Sequence, residues 1–232
     1  MINNNKMKLN HAYVSLGPTC LSAELLKAAG FRSCTYGFDW FRSGSHHLKD
    51  FLELDLEHFL VKHVYSPNIP LMQNDDPNDL INNTAELAPF EPLYGYQYLY
   101  CPHRSYKNSS NLEYFGRAFD RLKVFISNPG NFASFLLSDF PHSTYGSFLD
   151  ETSLISGHLE HLLSLHCKCQ FSLTFVRMSS FQPPCCLPLV SRVDLSNISK
   201  IYNFSVASFL LDSEYLRRHL YSSVARLSLE RA

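Results

Sequence analysis

Along this chain, short runs of apolar residues alternate with longer stretches in which apolar side chains return every three or four positions. The first pattern suits strands buried on both faces, and the second suits helices that bury one side. His11 to Leu16 reads as a first strand ended by Gly17 and Pro18, after which Leu21, Leu25 and Leu26 mark a helix that Gly30 stops. Pro18, with a preset φ and no amide to donate, fits the first helical position. Phe31 to Trp40 is aromatic and glycine-punctuated, a loop returning over the end of a sheet. Ser45 to His63 keeps a helical period, whereas Ser66 to Pro92 is rich in Pro, Asn and Asp and predicts a long irregular insertion around 66–92. Tyr94 to Tyr100 reads as a strand, and Leu112 to Ile126 as a helix with Tyr114, Phe115, Phe119 and Leu122 on its apolar face. Phe132 to Leu137 and Phe171 to Met178 enclose a helix from Thr152 to His166, the order of a βαβ unit. Ile198 to Phe204 gives a last strand, and Ser213 to Leu229 a closing helix with Leu216, Leu220, Val224 and Leu227 inward. This order predicts a single three-layer α/β domain over residues 11–232 with a mainly parallel sheet, preceded by a flexible, Asn-rich leader over residues 1–10.

Charge removes several classes of partner. Twenty basic residues against 21 acidic ones leave a net charge of -1, which provides no electrostatic footprint for nucleic acid or for an anionic membrane surface. The start lacks the apolar core of a secretory signal, and no run reaches the length of a membrane span, so the expected location is the cytoplasm. Seven cysteines at irregular spacing fit a reducing compartment better than a disulfide framework. At 232 residues the chain is long enough for one full core and too short to favour two large domains.

Chemistry concentrates between Ser15 and Trp40. Cys20 falls in the first turn of a helix that follows a strand, where amides without intrahelical acceptors and the positive end of the helix dipole favour thiolate over thiol. The plainer reading makes Cys20 a small packing residue. Asp39, between Phe38 and Trp40, is expected to be partly buried, either tying its loop to backbone amides or serving the site. Among 11 histidines, His103 is the first choice of base, because it follows the Tyr94 to Tyr100 strand directly. Asp139, at the end of a predicted core strand, rivals Asp39 for the role of orienting that base. His46, His47, His58 and His63 diverge on a helix and read as surface residues. Cys167 and Cys169 are too close together for the usual zinc spacing, and Cys185–Cys186 does not complete a site, so neither a metal nor another cofactor is expected.

The segments Ser15-Leu-Gly-x-x-Cys20, Gly30-Phe-Arg32 and Phe38-Asp-Trp40, followed by Pro102-His103 and an aromatic helix carrying Arg117 and Arg121, resemble a papain-like cysteine peptidase family of unknown function. The resemblance is most specific at the start and loosens after about Phe125. It implies Cys20 as nucleophile, His103 as general base and Asp39 as part of the Phe-Asp-Trp signature; Arg104 stands where an acidic residue is expected after the histidine. The papain fold would set a helical half against a barrel-like half, whereas the local order here predicts α/β, and the local order is taken for the architecture. The leading expectation is a cysteine-dependent hydrolase, peptidase-like or acyl-transferring, on a peptide, acyl or glycan-linked substrate. The alternatives are a noncatalytic or carbohydrate-linked binding module, with the Tyr-rich run at 94–100 as its surface, and an esterase-like hydrolase in which Ser15 competes with Cys20.

Overall fold

A computed structural model of the chain describes residues 10–17, 20–65, 95–101, 108–139, 152–181, 189–207 and 214–229. In order these form β1 (Asn10–Ser15), α1 (Leu21–Ala28), β2 (Arg42–Gly44), α2 (Ser45–Glu53), α3 (Leu56–His63), β3 (Gly95–Tyr100) and α4 (Ser109–Ile126). They continue with β4 (Asn131–Asp139), α5 (Thr152–His166), β5 (Gln170–Phe181), β6 (Leu189–Asp194), β7 (Ser199–Ala207) and α6 (Glu214–Leu229). The leader, apart from Asn10, and the 66–92 insertion lie outside the described residues, as does His103.

Five strands form the main sheet in the order β1-β4-β5-β7-β6, the first four parallel and β6 antiparallel at one edge. Alternation along the strands sorts their side chains to two faces. Ala12, Val14, Leu16, Phe135, Leu137, Leu173, Phe175 and Ile201 join the core made with α2, α3, α4 and α5. Leu136, Val176, Met178, Tyr202 and Phe204 face the other way, into a core shared with α1 and α6. The result is the expected three-layer α/β domain with a mainly parallel sheet. Its parallel strands advance across the sheet in chain order, so right-handed crossovers place α4 and α5 on the same side.

Several local expectations are corrected. The strand at Tyr94–Tyr100 does not belong to the parallel sheet: β3 pairs antiparallel with the three-residue β2 in a separate ribbon. The 45–63 stretch is two helices, because Leu54 is extended and Asp55 caps α3 by accepting from the His58 amide at 3.0 Å. The bonded turns of α1 start later than Pro18. Gly17, at φ 86, takes the chain out of β1, and the Cys20 carbonyl accepts the first helical bond, from the Glu24 amide at 2.9 Å. β6 was not anticipated, since its Arg192 and Asp194 are exposed, as charged residues on an edge strand commonly are. In α6 the buried face is Val224, Ala225, Ser228 and Leu229, and Leu216 and Leu227 are exposed, so the apolar stripe is turned from the one expected.

Candidate functional site

Cys20 stands at the N-terminal cap of α1, half-buried, with its backbone already helical (φ -66, ψ -8). The turn beneath it is held by small hydroxyl side chains. The Gly17 amide donates to Ser15 Oγ at 3.4 Å, Ser22 Oγ donates to the Gly17 carbonyl at 3.2 Å, and Ser22 Oγ lies 2.7 Å from Ser138 Oγ. All three serines are fully buried. They dock the first turn of α1 on the carboxyl ends of β1 and β4, and Asp139, the last residue of β4, follows Ser138 directly. Larger side chains at these positions would hold the helix off the strand ends. Ser15 is therefore part of the seating of Cys20 and has no path to solvent.

α6 runs beside α1 and supplies the other wall. Arg226 Nη2 donates to the Ala29 carbonyl at 3.1 Å, which fixes the far ends of the two helices together. Toward the near ends lies Tyr221, half-buried and packed on the core of this face. Burial raises the Tyr221 phenol above its ordinary value, the Arg217 guanidinium opposes this, and the charges of Cys20 and Glu24 add to the rise. The charges of Arg217, Cys20 and Glu24 thus all act on the Tyr221 phenol. Among the described parallel strands the order never reverses, so no switch-point crevice exists there, and this turn is the feature that marks the carboxyl edge of the sheet.

Asp39 is buried and its carboxylate is engaged. Oδ2 lies 3.0 Å from Arg32 Nε and accepts from the Tyr36 amide at 3.1 Å, and the Ser15 amide also favours the charged form. Burial outweighs these partners and pushes the carboxyl up to about 6. Arg32 lies over the Trp40 ring, 4.7 Å from its centroid, and Arg121 donates through Nε and Nη2 to the Thr35 carbonyl at 3.0 and 2.8 Å. The loop of the Phe-Asp-Trp segment is thereby bound to β1 and α4. Among the described residues, the partners recorded for Asp39 are a guanidinium and backbone amides, not an imidazole.

Residue spacing gave no warning of a histidine cluster where the first turn of α2 meets the end of α3. His47 is buried, and its Nδ1 accepts from the Gly44 amide at 2.8 Å; its ring centroid lies 3.9 Å from that of His46 and 4.9 Å from that of His63. His63 is half-buried, with Nε2 2.7 Å from Asp50 Oδ2, which Lys62 also contacts at 2.7 Å. Burial lowers the His63 imidazole, partly offset by Asp50. The surface reading holds for His58 and fails for His47. The available signal was position, since His47 is one turn before the buried Phe51 and His63 one turn after the buried Phe59. Among the described residues no group of three or more His, Cys, Asp and Glu is arranged to hold a metal ion. No described helix is long and apolar enough to cross a membrane.

With this geometry in place, the chain was compared with protein-family models, curated proteins and solved structures, and it matches none of them significantly. The class defined by fold and site is a three-layer α/β domain with a thiol at the first strand-to-helix turn.

Proposed function

We infer that the chain is a cysteine-dependent hydrolase or acyl transferase in which Cys20 is the nucleophile. The observation that carries this reading is the half-buried Cys20 at the start of α1, three residues after Gly17, whose left-handed backbone takes the chain out of β1. Such a turn lifts a side chain above the end of the sheet while the first helical amides face the same side. In the proposed reaction His103 takes the thiol proton, the thiolate attacks a carbonyl carbon, and the first-turn amides stabilise the oxyanion. The acyl-enzyme is then released to water or to another acceptor. Tyr221 and Arg217 form the wall against which the substrate lies. Asp39 enters as the anchor of the loop beneath the site, because Arg32 and the Tyr36 amide already engage its Oδ2. Buried Ser15 is a poorer nucleophile candidate than Cys20.

The test is alkylation of the native chain by iodoacetamide at near-neutral pH, followed by peptide mapping. Cys20 is expected to react at least ~10-fold faster than the glutathione thiol, with the rate falling in His103→Ala. A Cys20 that alkylates no faster than glutathione overturns the nucleophile assignment. Rapid labelling that is unchanged in His103→Ala keeps the nucleophile and removes the base.

A further inference from the structure

His47 makes a hydrogen bond that exists in one protonation state only. It occupies the third position of α2, and its Nδ1 accepts from the amide of Gly44, the residue that caps the helix, at 2.8 Å. A glutamate or glutamine at this position closes a helix start in the same way, by reaching back to the cap amide. An imidazole does so only while Nδ1 carries no proton. A proton there turns the acceptor into a donor aimed at another donor. His47 is 1% exposed, so water cannot replace the lost bond unless the chain moves. The buried hydroxyls of Ser43 and Ser45, on either side of Gly44 in the chain, make no hydrogen bond, so neither stands in as acceptor for that amide.

The surroundings disfavour a charged ring. The His46 and His63 ring centroids lie 3.9 and 4.9 Å from that of His47, and the first turn of a helix is the positive end of its dipole. Asp50 Oδ2 lies 2.7 Å from His63 Nε2 and equally close to Lys62 Nζ, so this carboxylate already faces a full cation. Burial lowers the His63 imidazole against the pull of Asp50, and the charges of Lys62 and His46 add to the lowering. Elsewhere on α2 are Lys49 and, at the far end, Glu53, where α4 also brings Lys123. At the start of α3, Asp55 holds His58, and Glu57 is exposed. Of the other elements packed on α2, β2 carries Arg42, and α5 carries His158, Glu160, His161 and His166. Glu160 Oε1 is taken by Ser156 and Ser196 at 3.1 and 2.8 Å and is no counter-ion for the cluster. Acid therefore adds imidazolium charge beside Lys62 with Asp50 as the near carboxylate.

We propose that His46, His47 and His63 form an acid-operated latch, which when neutral fastens the β2–β3 ribbon to the start of α2 through Gly44 and when protonated releases the ribbon while the main sheet stays folded. Gly44 is the last residue of β2 and pairs with Gly95 at the beginning of β3, and the register slips between Arg42 and Gly44, which leaves that end of the ribbon a weak ladder of its own. β3 ends three residues before His103 in the chain, so the latch acts on the segment leading to the proposed base. It stands whether or not that base is the catalytic one.

The test is amide hydrogen exchange of the full chain, read by mass at about pH 7.5 and about pH 5, on either side of the ordinary histidine value of 6.5, with rates corrected for the intrinsic effect of pH. The amides of β2 and β3 are expected to lose protection ~10-fold or more at the lower pH, while β4 and β5 keep theirs. His47→Gln, whose amide oxygen accepts the Gly44 bond and does not titrate, should keep the ribbon protected at both values. Asp39, which precedes β2 and titrates at about 6, is untouched by that substitution. Acid release that persists in His47→Gln therefore overturns the proposal. Unchanged ribbon protection in the native chain also overturns it, as does a loss shared equally by β4 and β5, which is global unfolding. Should His47→Gln not fold, the imidazole nitrogen shifts of the native chain decide by NMR. His47 is expected to gain its second ring proton over the interval in which the ribbon opens, and a His47 still neutral after opening overturns the latch.

Discussion

On the side of the sheet covered by α2 to α5, the core is aromatic and interlocked: the Phe119 ring lies 4.9 Å from Phe59, 5.2 Å from Phe38, 5.4 Å from Phe41 and 5.6 Å from Phe51, centroid to centroid. On the side covered by α1 and α6, the helical contribution is Leu21, Leu25, Leu26, Val224, Ala225 and Leu229, and the strand ends carry Ser15 and Ser138. Large rings bury much area and fix one another's orientation through edge-to-face contact. Small hydroxyls bury little, but they let a helix approach strand ends closely and satisfy the polar groups of the turn. The aromatic side therefore holds the fold and presents no chemistry at its centre, while the thinner side positions a thiol at the edge of the sheet.

The contrast breaks most visibly at its aromatic centre. Phe119→Ala should destabilise the chain by about 3 to 5 kcal/mol, as removal of a fully buried ring does, read as a lowered urea midpoint. A loss under about 1 kcal/mol would mean that the aromatic side is not the main source of stability. Gly37 sharpens the same point, since a Cβ there would overlap the Phe119 ring.

Asp39 joins the two sides, and its effect depends on pH. Its folded carboxyl titrates near 6, against 3.8 for the ordinary side chain, because burial dominates. A raised folded value means that the native state holds the proton more tightly than the unfolded one. The stability it contributes is full below 3.8 and is lost as pH rises through about 6. His63 acts in the opposite sense: its folded value is lowered, so its contribution is present at neutral pH and is lost as pH falls below 6.5. Urea midpoints across this range should show that Asp39→Asn removes the decline between 3.8 and about 6 while leaving the acid loss due to His63. An unchanged profile in Asp39→Asn would assign the decline to other groups.

The smallest effect is expected at the serines. Ser22→Ala removes the bond to the Gly17 carbonyl and leaves Ser138 Oγ without that partner. It should lower stability by about 1 to 2 kcal/mol, as loss of a buried hydrogen bond does, and it should also change the alkylation rate of Cys20 as the turn loosens. A stability loss with unaltered Cys20 reactivity would show that the serines support the fold without setting the thiol.

Much of this was legible from residue order, and the failures have physical causes. The helix at Leu112 to Ile126 was readable because Phe115, Phe119, Leu122 and Ile126 lie on one stripe, and all are buried. The 45–63 region kept a helical period across Leu54 and Asp55, so periodicity could not reveal the capped break between α2 and α3. In α6 the apolar residues are sparse enough to support more than one stripe, and contact with α1 selected the face. The burial of Asp39 was readable from its neighbours Phe38 and Trp40. Its partner Arg32 was not, because nothing in a seven-residue separation across a loop specifies where the two side chains meet.

By itself the sequence determined the local states: which segments extend, which coil, where Gly17 and Gly30 turn the chain with positive φ, and hence the α/β class. Those outcomes depend on backbone dihedrals and on the period of apolar side chains, which are properties of near neighbours. Only the tertiary structure decided that β3 leaves the main sheet to pair with β2, that His47 is enclosed and that Asp39 faces a guanidinium. Strand partners and buried polar contacts are settled by what lies across from each group in space. Hydrogen bonding and desolvation act over a few ångströms regardless of how many residues intervene.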